Sequence, residues 1–86
     1  MPTISAFYGI LIQMFWNDHA PPHFHARYGD YSGIIDISSL KMIEGDLPIR
    51  ALGLIVDWAK LHQAELLTDW DLCTKKLMPN KIEPLK

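Results

Sequence analysis

His23-Phe24-His25-Ala26-Arg27-Tyr28-Gly29-Asp30-Tyr31-Ser32-Gly33-Ile34-Ile35-Asp36-Ile37 is the stretch that decides the fold. Its first six residues alternate, with His23, His25 and Arg27 on one side and Phe24, Ala26 and Tyr28 on the other. That period of two belongs to a half-buried strand, whose apolar side packs inward. Gly29-Asp30 then separates it from a second apolar, β-branched run, Tyr31 to Ile37. A two-residue connection with glycine first suits a type II′ turn, so the two runs form an antiparallel hairpin.

On the N-terminal side, Asn17-Asp18-His19-Ala20-Pro21-Pro22 precedes the hairpin. Two prolines remove two backbone donors and fix φ there, which makes a stiff loop outside any ladder. Before it, Phe7 to Trp16 reads as a central strand, with Ile10, Ile12, Met14 and Trp16 on one side.

On the C-terminal side, Ser38-Ser39-Leu40 marks a turn and Lys41 to Glu44 a short strand ending at Gly45. A helix should follow, with Asp46 as N-cap and Pro48 in the first turn. Ile49, Leu52, Ile55, Val56 and Ala59 recur at three and four residues, with Leu54, Trp58 and Leu61 widening the stripe. No proline or glycine lies between Gly53 and Pro79, yet a bend near His62 or Gln63 is expected to divide the segment into two helices. Lys81 to Leu85 reads as a short extended tail docking on a sheet edge. The expected architecture is α+β: an antiparallel three- to four-stranded sheet of hairpins, then two C-terminal helices packed on one face, in a single domain spanning 1–86.

Composition limits what such a domain does. The 86 residues are 49% hydrophobic and 21% charged, enough for one small core. Eight basic against ten acidic residues give a formal charge of −2, which disfavours a general nucleic-acid coat. The single cysteine, Cys73, excludes an internal disulfide and reads as a small buried hydrophobe. Met1-Pro2-Thr3-Ile4-Ser5 carries no basic region ahead of an apolar stretch, and Ile10 to Trp16 is too short to span a bilayer. A cytoplasmic protein without membrane association is therefore expected.

Chemistry concentrates in Asp18-His19-Ala20-Pro21-Pro22-His23-Phe24-His25, which holds three of the four histidines. Two arrangements of these residues are chemically competent. In the first, His19, His23, His25 and Asp18 bind a transition metal such as zinc, since neutral imidazoles on alternate strand positions plus one further donor make an open site. Arg27, about 7 Å beyond His25 by strand geometry, opposes a divalent ion there. In the second, His19, His23 and His25 transfer protons without a cofactor while Arg27 holds a phosphate or carboxylate, as cofactor-free RNA cleavage requires. The plainest alternative makes His23, His25 and Arg27 the solvated side of a hairpin, with Asn17 and Asp18 capping its turn. A binding surface formed by the imidazoles with Phe15, Trp16, Phe24 and Tyr28 is the non-catalytic variant. Elsewhere, His62 reads as a polar boundary residue, Trp58 and Trp70 as packing residues, and Asp36 as the partner of Arg27 or Arg50 in an ion pair.

Pro2-Thr3-Ile4-Ser5, Asn17-Asp18-His19, Pro21-Pro22-His23-Phe24-His25-Ala26, Leu47-Pro48, Arg50-Ala51-Leu52, Asp57-Trp58, Leu61-His62, Glu65-Leu66-Leu67, Trp70 and Lys81-Ile82-Glu83-Pro84-Leu85 together resemble the small bacterial family called domain of unknown function 4160. The likeness runs nearly end to end, with Ser38-Ser39-Leu40 in place of the usual glycine-bearing turn. It implies kinship without a mechanism, because the family carries no established catalytic residues. It also implies one half of a two-gene module similar to toxin and antitoxin pairs, with a small protein partner encoded nearby and RNA or translation as a target. The sequence leaves the oligomeric state open, a homodimer included.

Overall fold

The computed structural model describes residues 3–16 and 18–86, so Pro2 and the capping role assigned to Asn17 lie outside the described residues. Its strands are β1 (Thr3–Phe7), β2 (Ile10–Gln13), β3 (His23–Tyr28), β4 (Tyr31–Asp36) and β5 (Met42–Asp46), followed by helices α1 (Ile49–Leu61) and α2 (Gln63–Thr74). The fold is α+β, and the sheet is a five-stranded antiparallel meander in the order β1-β2-β3-β4-β5. Five strands replace the expected three to four.

The extra strand arises because the apolar run from Phe7 to Trp16 is not one strand. Tyr8 and Gly9 both take positive φ, 49° and 80°, closing a two-residue turn that pairs Phe7 with Ile10. Asparagine or glycine normally announces such a turn, and a tyrosine in its first central position hides it. β2 then ends at Gln13, and Trp16 leaves the apolar side, 47% exposed, while Ile10, Ile12 and Met14 stay fully buried.

The central hairpin follows the sequence pattern. Tyr28 pairs with Tyr31 around Gly29, whose φ of 58° stands beside an Asp30 without positive φ, the pattern of a type II′ turn. At the far edge, β5 extends past Gly45 to Asp46 and pairs it with Ser32. A bulge falls between Ile34 and Ile35 and leaves Ile43 exposed. Gly45 has φ of 98°, and a Cβ there would collide with the backbone of Ser32 and Gly33, so only glycine lets β5 approach β4 this closely.

Phe24, Ala26, Ile35 and Ile37 join Ile4, Phe7, Ile10, Ile12 and Met14 on the buried side of the sheet. α1 covers them with Ala51, Ile55, Trp58 and Ala59. The Trp58 ring lies 5.4 Å from Phe7 and 5.8 Å from Phe24, centroid to centroid. Ile49 and Leu61, expected in this stripe, are 90% and 72% exposed. At 100° per residue both fall well away from the arc through Ala51, Ile55 and Trp58. Asp46 is likewise no cap: it belongs to β5, and Pro48 occupies the N-cap position without a side-chain hydrogen bond.

The helical segment breaks at His62, which leaves helical geometry with φ −128° and ψ 22°. Side chains hold that bend: His62 Nδ1 lies 2.6 Å from Glu65 Oε1, and Gln63 Nε2 donates to the Ile37 carbonyl at 2.9 Å. α2 adds Leu66 and Cys73 to the core. Beyond it the tail reaches the outer edge of β1, where the Ile82 amide donates to Ile4 O at 2.7 Å and Trp58 Nε1 donates to Glu83 O at 2.7 Å. No helix among the described residues is long and apolar enough to cross a membrane.

Candidate metal centre

The loop between β2 and β3 is fastened at both ends. Trp16 Nε1 donates to Leu77 O at 3.1 Å, just past α2, and the Ile37 amide donates to Pro22 O at 3.0 Å. Between these ties Asp18 accepts its neighbour's backbone, His19 N to Oδ1 at 2.9 Å, which aims the other carboxylate oxygen at β3. His23 Nε2 and His25 Nε2 both meet that oxygen, Asp18 Oδ2, at 2.8 and 3.0 Å. One ligand atom from each of Asp18, His23 and His25 lies within 4.8 Å of the others.

The protons on this trio follow from the remaining contacts. His23 Nδ1 lies 2.8 Å from the Pro21 carbonyl oxygen, which only accepts, so Nδ1 carries the hydrogen. In a neutral ring Nε2 then presents a lone pair toward a carboxylate oxygen, and two acceptors 2.8 Å apart need a cation between them. Burial pushes the Asp18 carboxyl up, but hydrogen bonds from His25, the His19 amide and His23, with the charge of His23, outweigh it and hold the group below the usual carboxylate range. The geometry thus presents an ionised oxygen and two imidazole nitrogens that share one cation, whether a proton or a metal ion.

Packing fixes the rings. His23 is 6% exposed, against Trp70 of α2 at 5.0 Å between centroids. The His25 ring sits edge-on to Phe15 at 4.4 Å, and its side chain keeps 26% exposure. The site is therefore sealed behind His23 and open beside His25. His23 does not belong to a solvated strand side, because α2 and the loop cover it.

Of the residues singled out in the sequence, Asp18, His23 and His25 come together. His19 is exposed, and among the described residues only its backbone amide is seen to touch the cluster. Arg27 follows His25 on the same side of β3, exposed, opposite Leu11 and Ser32. Asp36 pairs with neither Arg27 nor Arg50. Its Oδ1 accepts the Ser38 and Ser39 amides at 2.8 and 2.9 Å, because the turn beside it has amides to satisfy and, among the described residues, no arginine nitrogen lies within 4.0 Å of it. Two contributors lack a sequence signal, the Pro21 carbonyl and Trp70, which is far from the loop in the chain; Phe15, grouped with the imidazoles in the sequence, meets the His25 ring with its edge.

Residues 9–71 match the model of a family described as Domain of unknown function (DUF4160), a span that contains the whole site. No curated protein and no solved structure matches the chain.

Proposed function

The chain belongs to the DUF4160 family, and from its own geometry we propose that Asp18, His23 and His25 bind one divalent transition-metal ion, zinc or ferrous iron, as the working centre of the protein. The observation that carries this is the hydrogen bond from His23 Nδ1 to Pro21 O, which commits Nε2 to the cluster. Metal-bound histidines characteristically donate their second ring nitrogen to a backbone carbonyl or carboxylate in this way. Two imidazoles and one carboxylate are the donor set of mononuclear sites that keep positions free for water and substrate. His25 stands beside a groove on the open side of the sheet, so those positions are accessible. An ion there acts as a Lewis acid or activates water near neutral pH.

Titration of untagged protein with Co²⁺ tests this. One equivalent should bind with visible absorption of a nitrogen- and oxygen-ligated ion, and His25→Ala should remove it. Wild-type protein that binds no more tightly than His25→Ala rejects the centre.

A second use of the same residues needs no metal. Asp18 holds His25 as Asp-His pairs hold a general base, and among the described residues no carboxylate lies within 4.0 Å of the Arg27 guanidinium, leaving it free for a phosphate. In that form the protein is the RNA-directed half of a toxin- and antitoxin-like module in the cytoplasm, with a small protein partner. RNA cleavage or growth inhibition that survives EDTA and disappears in the His23→Ala, His25→Ala double variant favours it over the metal centre.

A further inference from the structure

The groove beside the metal centre has a volume of about 410 Å³, and both His25 and Arg27 line it. We propose that it takes a small oxyanion, phosphate or carboxylate, which bridges the bound metal ion and the Arg27 guanidinium. The inference rests on the metal centre proposed above and names the substrate class that the centre serves.

Spacing is the first support. His25 and Arg27 are successive residues on one side of β3, about 7 Å apart. Side chains that leave the strand at that backbone spacing suit one oxyanion held by a metal–oxygen bond of about 2 Å on one side and a charge-assisted hydrogen bond of about 2.8 Å on the other. Arg27 offers the planar donor fork that matches such a group, and among the described residues no carboxylate within 4.0 Å competes for it.

Charge is the second support, and it sets a condition. Asp30 and Glu44 line the same groove, and Asp18 lies behind His25. Three carboxylates against one guanidinium and the proton that the trio shares leave the metal-free groove net negative, so an anion is repelled until a divalent ion has bound. The loaded groove is neutral overall, with the guanidinium on its wall and the metal ion beside it on His25. Oxyanion binding should therefore need the metal and Arg27 together, and neither alone should suffice.

Calorimetric titration with inorganic phosphate and, separately, acetate tests this on three samples: zinc-loaded wild type, metal-free wild type and zinc-loaded Arg27→Gln. Zinc content is measured first on each. Zinc-loaded wild type should bind at least one of the two anions, at least tenfold more tightly than either other sample, and the tighter anion identifies the substrate head group. Arg27→Gln should keep full zinc occupancy, because the substitution removes a positive charge and no ligand. An Arg27→Gln anion affinity within twofold of wild type, or no anion binding by zinc-loaded wild type, overturns the inference while leaving the metal centre standing. Wild-type protein that takes up no zinc overturns both.

Discussion

His23 donates through Nδ1 to the carbonyl oxygen of Pro21, 2.8 Å away and two residues earlier in the chain. This short link gives the loop its chemical meaning. It fixes the tautomer of a buried imidazole and turns Nε2 toward Asp18, while strand alternation brings His25 to the same carboxylate oxygen.

Because His25 reaches the cluster and the His19 ring is not among its contacts, the two histidines should separate cleanly on mutation. His19→Ala should leave zinc affinity within about twofold of wild type. His25→Ala should lower it by more than the roughly 10–100-fold typical of losing a supporting partner. Competition against a chelating dye reads both, and equal losses would contradict the ligand assignment.

The end of α2 offers a test of backbone strain remote from the site. Lys76 has φ of 60°, and the amides of Lys76 and Leu77 donate to Cys73 O and Leu72 O at 3.1 and 2.9 Å, a Schellman closure. Glycine takes that conformation without the Cβ penalty, so Lys76→Gly should stabilise the fold by about 0.5–1 kcal/mol in urea denaturation, despite the added freedom of the unfolded chain. A loss of stability would show that the lysine side chain contributes more than its backbone strain costs.

Asp69 gives a pH-dependent prediction. It is 1% exposed; its Oδ1 accepts the Asn80 amide at 2.9 Å and its Oδ2 has no partner among the described residues. Burial pushes its carboxyl up, the Asn80 amide pulls it back, and Glu65 adds to the rise, leaving it above the ordinary carboxylate range. A raised acid binds its proton more readily in the folded state, so its contribution is fully present below the unfolded-chain value and is lost as pH rises through the folded one. Asp69→Asn keeps the shape without the charge. It should therefore be more stable than wild type at pH 7, with the difference vanishing below about pH 3.5, under the unfolded-chain carboxyl value. Denaturation curves across that range check it; a constant difference would point to packing instead.

The hairpin from His23 to Ile37 was legible because alternation and Gly29 agree, and the bend at His62 was placed within a residue although no proline or glycine marks it. β1 was not legible, since Tyr8 stands in a left-handed turn position where asparagine or glycine usually gives the signal. Nor were the ends of the α1 stripe: Ile49 and Leu61 share hydrophobicity with Ile55, but only their angular position about the axis decides burial. At the site, the histidine motif announced itself through density alone. The path of the loop separated Asp18 from His19, and Trp70 came to His23 through the tertiary packing of α2.

Metal content is the most direct test of the central claim. Untagged protein, purified without chelators and examined by elemental analysis, should carry close to one equivalent of a transition metal, and Asp18→Ala carrying His23→Ala should carry none. Wild-type protein that emerges metal-free, and remains so after incubation with zinc or ferrous iron, would contradict the account.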